Sequence, residues 1–223
     1  YMHNFSQIVS MFTLAFVCPL VIGIENYGLY ASLYAIPGFF HGSLETYLIR
    51  TLNKNQKNFL SNFIFFCLIS LIIIFCLTYF FFGFEMIFYS LILYVGLIFR
   101  SFFYSIATQK TNKLQSVIYS EWIISFVYVF ILGYCYFNQF KSFIIPIIMI
   151  VASCFIGGVF LFYFSKSYLK NISFTLAKNH NFIDLFGRLY EDLFITSSPL
   201  IVYNFFGAKE SGIFRILVSV LKA

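Results

Sequence analysis

Long apolar stretches alternate along the chain with short polar punctuation, and that rhythm predicts the elements. Residues 58–84, 122–140 and 142–165 each pass without one Asp, Glu, Lys or Arg. Apolar runs of about 18 residues or more are long enough to cross a hydrocarbon core of roughly 30 Å as helix. With the charges and the Gly, Asn and Pro positions as boundaries, helices are expected at 5–23, 28–49, 59–82, 85–107, 116–137, 143–165 and 187–206, with an eighth starting near 211. Strands are not expected, because a membrane strand alternates apolar and polar residues, whereas Leu68 to Phe75 reads LISLIIIF. The predicted fold class is an all-α polytopic membrane protein.

Composition narrows the class further. Of 223 residues, 61% are apolar and 10% are charged, where soluble domains carry about 25% charged residues. An ordinary globular domain, a disordered chain, a collagen-like repeat, a secreted disulfide scaffold and a DNA-binding module are all excluded. The five cysteines (Cys18, Cys67, Cys76, Cys135, Cys154) lie inside apolar runs and form no C-x-x-C or His/Cys cluster, so they read as packing residues. Tyr1 stands first and no basic segment precedes the first apolar stretch, so a cleaved signal peptide is not expected; Ala223 falls within an apolar run, so the chain is expected to be the first part of a longer one.

The net charge of +6 is informative only by connection. Lys and Arg accumulate on the cytoplasmic side of a membrane. Even-numbered connections hold Arg50, Lys54, Lys57, Lys110, Lys113, Lys166, Lys170, Lys178 and Arg188, against Lys141 and Lys209 in the odd-numbered ones. The N-terminus is therefore expected in the cytoplasm. The odd connections are tiny, as at 24–27 and 82–84, which leaves no room for an extracytoplasmic domain within the chain. The sizeable loop at 165–186 divides the chain into a six-helix unit at 1–165, a cytoplasmic connecting segment at 166–186 and the start of a second unit at 187–223. Leu169, Ile172, Phe174 and Leu176 let that loop be a short interfacial helix, and a plain basic linker fits equally.

An internal repeat supports the division. At an offset of 184, Gly23-Ile-Glu-Asn-Tyr-Gly28-Leu-Tyr30 matches Gly207-Ala-Lys-Glu-Ser-Gly212-Ile-Phe214, both reading G-x4-G followed by an aliphatic and an aromatic residue. Two parallel six-helix halves related by an axis along the membrane normal are a common transporter plan. Together with Gly42 to Arg50 (GSLETYLIR) and Gln109 to Lys113 (QKTNK), these turns make the chain resemble Wzx-type oligosaccharide flippases, which share a superfamily with the MATE exporters. The resemblance implies twelve or more helices in two lobes arranged as a V. It also implies transport of an undecaprenyl-diphosphate-linked oligosaccharide across the bacterial inner membrane in polysaccharide or O-antigen biosynthesis, with other polysaccharide-assembly membrane proteins as further partners. The chain would supply the first lobe and two helices of the second.

Polar residues at membrane depth carry the candidate chemistry, because such groups are costly and tend to face a bundle interior or a wet cavity. Tyr30, Tyr34, Gly38, His41 and Glu45 share one face of the second helix at spacings of 4, 4, 3 and 4. His41 with Glu45 forms a candidate proton-coupling pair; against it, Glu45 reaches for the interface and His41 merely packs. A metal site on this lone pair is not supported, and no cofactor is expected. Pro37, Gly38 and Gly42 predict a kink and close helix packing. Arg100 and Glu121 lie roughly 9 to 12 Å below the same surface at 1.5 Å per residue, so they either form an ion pair or leave Arg100 to meet a diphosphate. Arg188, close to Glu191 and Asp192, begins the seventh helix, and Arg215 lies one turn inside the eighth. Arg100, Arg188 and Arg215, with Tyr30 and Tyr34, are the candidate substrate-binding residues.

A transporter that does no chemistry on its substrate is thus the leading expectation, with lipid-linked oligosaccharide and the bilayer as partners and no nucleic acid. A MATE-like drug or cation exporter is the alternative within transport. An integral-membrane sugar polymerase shares the composition, yet the outward loops are too short for its machinery, and no G-x-S-x-G, H-E-x-x-H or P-loop occurs.

Overall fold

The computed structural model of the chain describes residues 2–54, 59–110, 114–169 and 197–222, which are helical almost throughout. Helix α1 comprises Met2–Phe12, a π-helical turn Thr13–Val17 and Cys18–Ile22. Next come α2 (Ile24–Lys54), α3 (Phe59–Phe82), α4 (Ile87–Lys110, entered through the 3-10 turn Phe84–Met86), α5 (Leu114–Phe137) and α6 (Ile144–Leu169). Then α7 covers residues 197–206 and α8 covers Ala208–Lys222. The described residues contain no strand.

Five stretches are long and apolar enough to cross a membrane: Phe5–Ile22, Phe63–Phe82, Phe84–Thr108, Gln115–Phe137 and Ile144–Lys166. Their outer faces project large apolar side chains, with Phe80, Phe130 and Phe137 each at least 74% exposed. In water such a surface would associate; in lipid it is solvated. The second expected span is a long helix but is not among the five, since Gly28, Ser32, Gly38, His41 and its tyrosines dilute its apolar content. Its position explains that composition. Helix α2 is packed against α1, α3, α4, α6 and α8, so its small and polar residues meet protein instead of lipid.

Two expected boundaries move. The connections at 24–27 and before 211 each shrink to a single glycine, Gly23 and Gly207, because α2 and α8 start at the next residue. Both glycines have strongly positive φ, 90° and 105°, as has Gly83 between α3 and the turn into α4 at 81°. That backbone is open to glycine and strained for other residues. The hydrogen bonds around the two turns also repeat at the offset of 184: Gly23 N–H donates to Pro19 O and Tyr27 N–H to Gly23 O, while Gly207 N–H donates to Tyr203 O and Ser211 N–H to Gly207 O.

The π-helical turn in α1 has a local cause. It falls immediately before Pro19, whose ring and missing N–H disfavour a regular α-turn, and the wider turn lets Cys18 N–H donate to Thr13 O. Small residues elsewhere set helix distances. A Cβ on Gly158 would stand 2.6 Å from the Phe99 ring of α4, and one on Gly157 would stand 2.9 Å from Ser120 Oγ of α5. Gly38 behaves differently from the helix-packing role expected of it: what fills its missing side chain is the ring of Tyr34, one turn earlier on the same helix, at 2.7 Å.

Several polar groups inside the bundle are bonded across helices. Thr78 Oγ1 donates to Ser90 Oγ (3.0 Å), joining α3 and α4. Ser125 of α5 meets Ser10 Oγ (2.7 Å) and the Ser6 carbonyl (3.0 Å) of α1. The glycine turns and the lysines Lys141 and Lys209 share one end of the molecule, where a single cavity is lined by Gly23, Lys141 and Lys209. We call this the short-turn end.

Candidate functional site

Helices α1, α2 and α8 border an open cavity of about 430 Å³. Its wall is mostly carbon, from Ile8, Phe12, Leu14 and Phe16 of α1, and its polar groups come from Tyr27, Tyr34, Arg215 and Ser219. Arg215 lies eight residues past Gly207, about 12 Å into the helix at 1.5 Å per residue. Its guanidinium carbon stands 6.0 Å from the centre of the Tyr34 ring, within the range where a ring face attracts a cation. Ser219 Oγ is committed to the Arg215 carbonyl (2.9 Å). Among the described residues no carboxylate forms an ion pair with Arg215. The π-helical turn of α1 contributes Leu14, Ala15 and Phe16 to the same wall.

Three tyrosines on α2 form a stack leading into this cavity. Ring centres of Tyr27 and Tyr30 are 5.7 Å apart and those of Tyr30 and Tyr34 are 5.8 Å apart. Tyr30 is 2% exposed, so it supports the stack from inside the bundle, whereas Tyr34 and Tyr27 line the cavity. Gly38 leaves the space in which the Tyr34 ring lies. Tyr27 was not among the sequence candidates, although its place three residues before Tyr30 was a usable signal.

The other candidates fall elsewhere. Arg100 of α4 is bonded to Glu121 of α5, a buried carboxylate, and its guanidinium lies 5.5 Å from the Tyr104 ring. The ion-pair alternative is the arrangement found. His41 Nε2 is 2.6 Å from Ser101 Oγ, which ties α2 to α4 next to Arg100. The side chain of Glu45 lies outside the described residues, as do Arg188, Glu191, Asp192 and the connecting segment from 170 onward.

A second feature lies between the cavity and the short-turn end. Helices α2 and α8 approach so closely at Gly28 and Gly212 that a Cβ on Gly28 would stand 1.7 Å from the Ala208 carbonyl oxygen, and one on Gly212 would stand 2.5 Å from that of Ile24. The contacts are reciprocal, since Ile24 and Ala208 are themselves related by the offset of 184. Beside them the buried hydroxyls of Ser32 and Ser211 are 2.7 Å apart, and Ser211 Oγ donates to the Pro199 carbonyl at 2.8 Å. Thus α2 and α8 meet in close backbone contact, with Pro199 of α7 joined to them through Ser211.

Fold and site define a multi-pass helical membrane protein with a cavity between helices α1, α2 and α8 that is lined by Tyr27, Tyr34, Arg215 and Ser219. Comparison of the chain with family models, curated proteins and solved structures returns no match.

Proposed function

We propose that the chain is the N-terminal part of a transporter that flips an undecaprenyl-diphosphate-linked oligosaccharide across the bacterial inner membrane by alternating access, with its N-terminus in the cytoplasm. The observation that carries this reading is Arg215, a half-buried cation without a carboxylate partner among the described residues, facing a cavity bordered by the repeat-related helices α2 and α8. A diphosphate entering a low-dielectric region requires positive groups to offset its charge. Guanidinium stays protonated and offers paired donors to phosphate oxygens. In this reading Arg215 binds the diphosphate with Tyr34 orienting the guanidinium, Arg188 joins it, and Arg100 holds α4 to α5. The reciprocal turns at Gly23 and Gly207 support a plan of two lobes, α1–α6 forming the first and α7–α8 opening the second. His41 with Glu45 supplies the proton coupling, and the bond from His41 to Ser101 gives a change of imidazole charge a route to α4.

The test is export of lipid-linked glycan in cells that depend on the full-length protein. Arg215→Ala abolishes export while protein abundance stays near normal, and Arg215→Lys restores it in part, because lysine keeps the charge and loses the fork. Normal export by the alanine variant overturns the reading. Normal export combined with lost resistance to cationic drugs moves the assignment to a MATE-like exporter.

A further inference from the structure

Two cavities outside the candidate site meet at one residue. The first is a groove of about 440 Å³ between α1 and α5, lined by Thr13, Val17, Val21, Val129, Leu132 and Gly133 among others. Its surface is almost entirely carbon, since the Thr13 hydroxyl donates to the Val9 carbonyl at 2.7 Å. At Gly133 the groove is open space, for a Cβ there would find nothing within 4 Å. The second cavity, about 540 Å³, lies at the short-turn end and is lined by Lys141, Lys209, Glu25 and Asn26. Leu20, 86% exposed, lines both.

The chemistry of the second cavity selects an anion. Lys141 comes from the connection between α5 and α6 and Lys209 from the first turn of α8, so the two ammonium groups reach the cavity from separate elements. Among the described residues neither forms an ion pair, and Glu25 is the single carboxylate lining the cavity with them. The Asn26 side-chain amide is committed to the Ile22 carbonyl at 3.0 Å. Long lysine stems let both ammonium groups settle at headgroup level.

A free phosphate would use only the polar cavity and leave the groove uncovered. We propose that the short-turn end of α1 and α5 binds an anionic phospholipid, its phosphate between Lys141 and Lys209 and one acyl chain in the groove past Leu20 toward Thr13. The site is separate from the Arg215 cavity and stands whether or not the transport assignment does.

Native mass spectrometry of the detergent-purified chain, titrated with phosphatidylglycerol or phosphatidylcholine, tests it. Phosphatidylglycerol binds more tightly than phosphatidylcholine. Replacing both lysines (Lys141→Ala with Lys209→Ala) weakens phosphatidylglycerol roughly 30-fold, at the usual contribution of one basic residue near an anionic headgroup taken twice, and leaves phosphatidylcholine unchanged. Gly133→Leu fills the groove, fits the open space there and weakens both lipids about tenfold by displacing chain methylenes. Excess inorganic phosphate displaces neither. Equal affinity for the two lipids, an unchanged affinity in the double lysine variant, unchanged binding in Gly133→Leu, or displacement by inorganic phosphate overturns the proposal.

Discussion

A carboxylate such as Glu121, buried at membrane depth, is tolerable only when a cation meets it, and Arg100 from the neighbouring helix does so. Removing one partner leaves an uncompensated charge, at about 3 to 5 kcal/mol for a buried pair. Arg100→Ala therefore lowers the folded yield in detergent sharply, and adding Glu121→Ala recovers part of it, measured by fluorescence-detected gel filtration. Strictly additive losses would show that the two side chains act separately. This pair was legible in the sequence because both residues lie on facing ends of a helical hairpin, where the rise per residue fixes their depth. Arg215 was not decidable in that way. Near the start of the expected eighth helix it had two outlets, lipid headgroups or the interior, and only the position of α8 against α1 and α2 sets it, half-buried, at the cavity. The same holds for Gly38, whose glycine pattern pointed to a neighbouring helix while the Tyr34 ring occupies the space.

At the scale of elements, the contact of α2 with α8 is set by backbone and not by side chains. No Cβ fits at Gly28 or Gly212 without moving a helix, and Ser32, Ser211 and the Pro199 carbonyl complete a buried polar cluster beside them. Overpacking of this kind typically costs about 1 to 3 kcal/mol, and here it also pushes two helices apart. In a background lacking the five native cysteines, Ser32→Cys with Ser211→Cys cross-links under mild oxidation, and adding Gly28→Ala reduces the cross-linked fraction several-fold. Undiminished cross-linking would mean that the helices accommodate the methyl group and that the close approach is not what holds them. The G-x4-G repeat was visible in the sequence, and so was its place at two equivalent turns. That the two copies face and interlock with each other was not visible, because an offset along a chain carries no information about distance in space.

For the whole molecule, the distribution of basic residues predicts an orientation that labelling can check. Single cysteines at Lys54 and Lys113 react with a membrane-impermeant maleimide only after the cells are opened, whereas one at Glu85, on the 3-10 turn Phe84–Met86, reacts in intact cells with a permeable outer membrane. The reverse pattern overturns the orientation and moves the lysine-lined cavity at the short-turn end to the cytoplasmic side.

Composition and periodicity by themselves determined that the chain is helical, that several of its helices are apolar enough to lie in a membrane and roughly where the first six run, because hydrocarbon solvent demands long apolar segments with every backbone group bonded within them. They also marked the residues too polar to face lipid. The tertiary structure decided which helix is central, and so why α2 is richer in small and polar residues than its neighbours. It decided that Arg100 belongs to Glu121 while Arg215 faces a cavity, and that two single glycines, Gly23 and Gly207, make turns expected to be longer. The physical reason is common to all of these. Insertion into lipid acts on each segment separately and is written in local sequence, whereas pairing of charges and close approach of backbones depend on which segments become neighbours. That choice belongs to the packing of α1, α2 and α8 as a group.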